Sequence, residues 1–308
     1  MRMDWASIAV RFALYLDLML ACGLAAFALT APRRTAAAIP LRGLLVAGGA
    51  VGVLASLAGL VVQTAAMAGT SVTSVDRETI AIILTETQAG TAWIARVVAL
   101  AVALAAALLV RNRPNAGLVV AAIGFAVAVS TLAWGGHGVM NEGAVGWLHL
   151  GADIIHLLAA AVWIGSLLGL VLLVAPLKSM ADADQIELSW RALHGFATIG
   201  TGVVALIVLS GSVNAWLVVG RDGVGTLFST LYGQLLLAKI AAFVAMVALA
   251  SLNRFRLTPA LRRAAPSGVP HGALAALRLS LVCETTLALL VLALVAWLGT
   301  LEPFAGTG

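Results

Sequence analysis

The sequence predicts an all-α fold: a polytopic integral membrane protein built as a bundle of eight transmembrane helices. Two observations carry that prediction. Of 308 residues, 62% are hydrophobic and only 10% are charged, whereas a water-soluble domain carries about a quarter charged residues. The apolar residues are also gathered into long runs, giving a mean hydropathy of +1.07. A chain this short of polar surface is stable only in a bilayer, which excludes a soluble enzyme, a disordered chain and a secreted disulfide scaffold. The two cysteines, Cys22 and Cys283, lie inside apolar runs and do not form a disulfide framework. The excess of 18 Lys+Arg over 13 Asp+Glu is what basic cytoplasmic loops give a membrane protein, so membrane lipid is the expected partner and no nucleic acid is implied.

A crossing helix needs roughly 20 mostly apolar residues. Eight stretches qualify, at about 6–30, 41–68, 91–110, 116–135, 149–175, 193–219, 232–252 and 276–299. The first opens after Arg2, as a signal peptide would. Its apolar run is too long for a typical signal h-region and is broken by Arg11 and Asp17, so it reads as a retained helix. The second carries Gly48, Gly52 and Ser56 at four-residue spacing, a small face that lets helices pack closely in lipid. The remaining runs are rich in Leu, Ala and Val without strand alternation, which excludes a β-barrel. Trp5, Trp93, Trp147, Trp216 and Trp297 stand at run edges and read as interfacial anchors. No internal repeat is evident. Polar segments are short throughout, so residues 1–308 are expected to form a single transmembrane domain.

Loop charge sets the expected orientation. One set of loops holds Arg33, Arg34 and Arg42, then Arg111 and Arg113, then Lys178 and Arg191, then Arg254, Arg256, Arg262 and Arg263, eleven in all. The opposite set, which includes the N-terminus, holds three: Arg2, Arg77 and Arg221. By the positive-inside rule the first set is cytoplasmic and both termini are periplasmic.

Ionisable groups inside lipid cost about 2.5–3.5 kcal/mol each on insertion scales, so they need partners or a task. The runs contain Arg11, Asp17, Arg96, His149, Asp153, His156, Lys239, Arg278 and Glu284. Mutual pairing that fixes helix register is one reading of these groups. Lys239 and Glu284, intramembrane and opposite in sign, are the pair expected lower in the bundle, gating a path or relaying protons.

The fifth run is distinctive. At about 100° per residue, His149, Asp153 and His156 fall within roughly 60° of one another, a polar stripe on an otherwise apolar helix. Just before it, on the outward side, come His137 and Met140. Imidazole and thioether suit soft or borderline metals, Cu(I) in particular, and a carboxylate beside a histidine can orient it. His137, Met140, His149, Asp153 and His156 are therefore the candidate metal ligands. Trp163 lies deeper near the same face, as core packing or as lining of the same cavity. His194 and His271 read as ordinary residues near the cytoplasmic face. No phosphate-binding glycine loop, nucleophile elbow, Cys-x-x-Cys or His-Glu-x-x-His is present, and no enzyme is expected.

The segment Asp153-Ile-Ile-His156 followed by a small-residue run and Trp163-Ile-Gly165-Ser166-Leu167 resembles the signature of the copper-resistance D (CopD) family of inner-membrane proteins. Ser166 stands where that family has a second glycine. Similar to the family as well are Thr87-x-x-Gly90-x-x-Trp93-x-x-Arg96, Gly136-His137, Tyr232-Gly233-x-Leu235-Leu236-x-x-Lys239 with Asn253-Arg254, and Arg278 and Glu284 in the last run. The stretch around Arg191 and His194 departs from it. The resemblance implies movement of a copper ion across the bacterial inner membrane, from the periplasm inward, with a periplasmic copper-binding partner of the CopC type. On that reading His137 and Met140 receive the ion, His149, Asp153 and His156 pass it on, and Arg96, Trp163, Lys239 and Glu284 are intramembrane polar or gating residues. The alternative is a haem-binding membrane electron carrier with axial histidines; the clustering of the membrane histidines on one helix argues against bis-histidine haem.

Overall fold

The structure is a computed structural model describing residues 4–110, 114–136, 141–174, 183–220, 222–264 and 271–302. Helices dominate, and no strand occurs among the described residues. In chain order they are α1 (Trp5–Thr30), α2 (Arg33–Ala37), α3 (Leu41–Ala68), α4 (Arg77–Glu86), α5 (Gln88–Leu109), α6 (Pro114–Ser130), α7 (Gly143–Val174), α8 (Ala183–Val219), α9 (Leu231–Leu252), α10 (Thr258–Ala264) and α11 (His271–Leu298). Eight spans among them are long and apolar enough to cross a membrane. Each coincides with one of the eight runs read from the sequence. The spans often outrun those readings: α7 begins at Gly143, α8 extends well before residue 193, and α9 continues through a π turn (Asn253–Leu257) into α10. Periodicity finds the apolar middle of a helix, while its polar ends continue the hydrogen-bond ladder into the headgroup region.

Capping chemistry sets the starts and stops. Asp4 caps α1 by accepting from the Ser7 amide at 3.1 Å, and Asp76 caps α4 by accepting from the Thr79 amide at 2.7 Å. Gly69, at φ +65°, closes α3 in the left-handed conformation that favours glycine.

One capping unit occurs twice. Thr87 Oγ1 accepts from the Gly90 amide at 3.0 Å to open α5, and Thr230 Oγ1 accepts from the Gly233 amide at 3.2 Å to open α9. In both places glycine is required by close approach: a side chain at Gly90 would meet the Ile83 carbonyl oxygen at 2.1 Å, and one at Gly233 the Leu227 carbonyl oxygen at 2.2 Å. Nine residues after each threonine stands a cation, Arg96 or Lys239. The likeness is confined to the cap and the cation, so it is a shared local device rather than an internal repeat.

Helices α1 and α7 form the centre. The apolar windows of α1 and α7 are 61% and 67% buried, against 17% in the spans of α8 and of α9 with α10. Between them, α1 and α7 contact α3, α6, α8 and α11. They cross at glycine: a methyl group on Gly165 would lie 2.3 Å from the Gly23 carbonyl carbon, and a side chain on Gly169 would strike the Phe27 ring at 2.6 Å. Such small-residue crossings allow the backbone contact that replaces hydrophobic driving force in lipid. The small face of α3 serves the same end, with Gly48 and Gly52 packed against Asp17 and its neighbours on α1.

Candidate functional site

The buried charges satisfy themselves mainly with neutral dipoles rather than with one another. The one salt bridge among the described residues joins Arg191 to Glu187 on the surface of α8. Arg96 Nε donates to Thr131 Oγ1 at 2.9 Å and its Nη2 to the Thr131 carbonyl at 3.4 Å. Arg11 donates to the Gly135 carbonyl at 2.7 Å, and Arg278 to the Val174 carbonyl at 2.8 Å. Thr131 and Gly135 belong to the 3-10 turn that ends α6, and Val174 ends α7. A cation at a helix C-terminus meets carbonyls with no intrahelical donor and the negative end of the dipole. That is cheaper in lipid than desolvating a full counter-ion.

The expected Lys239–Glu284 pair does not form. Glu284 Oε1 accepts from Trp163 Nε1 at 3.2 Å and its Oε2 from Asn253 Nδ2 at 2.9 Å. Two neutral donors already occupy both oxygens of a carboxylate that is only 4% exposed. Lys239 instead lies within Coulombic range of Asp153 and His156. Sign alone could not choose between two carboxylates; helix rotation does.

On α7 the stripe read from the sequence is present, but its members turn to different neighbours. His149, 2% exposed, bonds through Nδ1 to Asn141 Oδ1 at 2.8 Å. Asp153 Oδ1 accepts from Asn214 Nδ2 at 3.2 Å, and His156 Nδ1 shares a 3.1 Å hydrogen bond with Ser210 Oγ. Gly211 leaves room for the imidazole: a Cβ there would sit 3.1 Å from His156 Cε1. Ser210 and Asn214 are four residues apart on α8, and they meet two α7 residues three apart, as antiparallel helices in register do. Asn214 Oδ1 is buried without a partner among the described residues. Among those residues no three His, Cys, Asp or Glu side chains are grouped to hold one ion. His137 and Met140 lie outside the described residues.

Trp163, seven residues and about 10 Å along α7 from His156, keeps to the same side of the helix but meets different partners. It is 4% exposed, packs edge-on against Phe243 with ring centroids 5.9 Å apart, and anchors Glu284. Trp163, Asn253 and Glu284 border a largely apolar groove of about 660 Å³ between α7, α8, α9 and α11. Trp93 is also not a simple anchor, since its Nε1 donates to the Ser56 carbonyl at 2.7 Å and ties α5 to α3. Trp5, Trp147 and Trp216 are exposed, as anchors should be. Sequence reasoning missed Ser210 and Asn214, and it singled out Asn253 only beside Arg254 in a family resemblance, without a role. Ser210 and Asn214, two polar residues at helical spacing in an apolar run, were the available signal. His194 stacks on Trp190, with centroids 5.3 Å apart.

Two family descriptions match the chain: copper resistance protein D-like, N-terminal domain, over residues 1–147, and copper resistance protein D over residues 190–298. The chain is 42% identical to copper resistance protein D of Pseudomonas syringae pv. tomato, over 97% of each chain. It belongs to the copper resistance protein D family. Another relative spanning nearly the full length is inner membrane protein YebZ of Escherichia coli K12, 33% identical over 96% of this chain and 98% of that protein. Copper transport protein CutJ of Bacillus subtilis 168 is 35% identical over 42% of this chain and 23% of its own length. No solved structure matches. With its eight apolar spans, this copper resistance D family member is a multi-pass inner-membrane protein. The Thr87-x-x-Gly90-x-x-Trp93-x-x-Arg96 pattern acquires a physical meaning here: cap, close approach, clamp to α3 and clamp to the end of α6.

Proposed function

We propose that this protein is a copper permease, moving the ion from the periplasm inward along the α7–α8 face, and that residues 1–308 act as one transmembrane unit with both termini periplasmic. The observation that carries the reading is the pairing of Asp153 and His156 with Asn214 and Ser210 between two apolar helices. Among the described residues it leaves the amide oxygen of Asn214, whose nitrogen donates to the Asp153 carboxylate, without a partner. Polar groups at that depth are costly without a task. A conducting path needs several weak sites rather than one closed cage, so that the ion can leave each in turn. His137 and Met140 capture the ion at the mouth, His149, Asp153 and His156 pass it inward, and Lys239 modulates the charge at Asp153. Copper is cargo on this reading, no catalysed reaction is assigned, and a CopC-type periplasmic protein is the expected donor. The eleven-to-three division of loop cations supports the orientation.

The test is cellular copper accumulation in a strain relying on this protein. His156→Ala abolishes uptake while the protein remains inserted, and His194→Ala leaves uptake at the wild-type level. His137→Ala weakens uptake mainly at low copper, because it affects capture. Wild-type uptake by His156→Ala at every concentration would make the stripe structural. A Soret band from the purified protein would favour the haem-carrier reading instead.

A further inference from the structure

A second cavity lies at the end of the bundle that carries Asp4 and Gly299, with a volume of about 390 Å³. Arg11, Tyr15, Gln63, Trp93 and Arg96 line it, and His149, Asp153 and His156 do not. A guanidinium carries five N–H donors. Thr131 takes two from Arg96, and the Gly135 carbonyl takes one from Arg11. The remaining donors have no partner among the described residues. Arg96 is only 9% exposed and lines the cavity, and none of its nitrogens is buried without a partner among the described residues, so its unused donors open onto that cavity. Tyr15, 8% exposed, lies within Coulombic range of both guanidinium groups and of Asp153, which does not line the cavity. The cavity wall holds one carboxylate, that of Asp4. Ser7 engages both Asp4 oxygens, and those hydrogen bonds, the side-chain one first, hold its carboxyl below its ordinary value. Two cations thus face one carboxylate that is already committed.

We propose that this cavity binds an oxyanion, a carboxylate or phosphate group, between Arg11 and Arg96. Planar guanidinium forks match the paired oxygens of such groups, and removal from water strengthens each contact. The same charge makes the cavity a poor route for a bare metal cation, so it serves a ligand other than the permeating ion. The oxyanion is either a free one from the aqueous side or the phosphate of an anionic lipid.

The experiment uses the full-length protein and reads its thermal unfolding midpoint at constant ionic strength. In neutral detergent, inorganic phosphate replaces chloride. In a parallel arm the protein sits in nanodiscs of phosphatidylcholine with or without phosphatidylglycerol. A rise of about 3 °C or more in wild type at saturation, lost in Arg11→Gln and in Arg96→Gln and retained in Arg278→Gln, establishes the site. A response to phosphate identifies a free oxyanion; a response to phosphatidylglycerol alone identifies a lipid headgroup. Arg11, which is partly exposed and makes one hydrogen bond, is the variant expected to fold if Arg96→Gln does not. No rise with either probe, or a full rise in Arg11→Gln, overturns the proposal.

Discussion

Gly23 of α1 and Gly165 of α7 touch backbone to backbone: a Cβ on Gly23 would lie 1.8 Å from the Ala161 carbonyl oxygen, and one on Gly165 would lie 2.3 Å from the Gly23 carbonyl carbon. No rotamer relieves a clash between main chains, so the two central helices must separate to accept even a methyl group. Gly165→Ala is expected to cost at least the 1–3 kcal/mol typical of overpacking, read as a lower unfolding midpoint in detergent. Gly195→Ala, where nothing lies within 4 Å of the added carbon, is the control and leaves the midpoint within experimental scatter.

Asp153, rather than Glu284, is the carboxylate that feels Lys239. A double-mutant cycle on unfolding free energy separates the two. Asp153→Asn with Lys239→Met gives a coupling of roughly 0.5–3 kcal/mol, while Glu284→Gln with Lys239→Met adds to within about 0.5 kcal/mol. Coupling to Glu284 alone would contradict the geometry described above.

Trp163→Phe keeps an aromatic edge against Phe243 and deletes one donor. Glu284 then retains Asn253 alone. Leaving a buried acceptor short of a partner costs about 1–3 kcal/mol. The triple variant Trp163→Phe/Asn253→Leu/Glu284→Leu, which orphans neither the carboxylate nor the Asn253 amide that donates to it, is expected to unfold at a higher temperature than Trp163→Phe by itself.

A reporter fused after Gly308 tests the orientation. An alkaline phosphatase fusion, active only in the periplasm, is expected to work, and a cytoplasmic fluorescent fusion is expected not to. The opposite result would place the cationic loops outside.

The bundle was legible because lipid leaves few alternatives. A run of apolar residues must form a helix to satisfy its backbone, so eight runs gave eight spans. The stripe on α7 was legible because His149, Asp153 and His156 share one helix, whose rotation is known from the residue numbers. Partners on other helices were not. Glu284 could equally have faced Lys239 or Trp163, and the choice depends on how far α9 and α11 rotate, which loop lengths do not encode. The repeated Thr-x-x-Gly unit was readable in the sequence at Thr87 and Thr230. Hydropathy treats the surrounding runs as alike, so it does not show that the two segments share a cap.

The π turn at Asn253–Leu257 has a consequence for which side chain meets Glu284. It is closed by the Thr258 amide reaching back to the Asn253 carbonyl, one residue farther than an α-helix allows. One surplus residue leaves everything beyond it about 100° out of phase with α9. Asn253 thereby faces inward to Glu284, while its neighbour Arg254 reaches across to Thr201 and the Ala197 carbonyl on α8. Which side chain is seated on Glu284 is therefore set by where along the α9–α10 rod the surplus residue falls, so that deleting one residue within 253–257 would re-aim every α10 side chain by about 100° while leaving the α9 face unchanged.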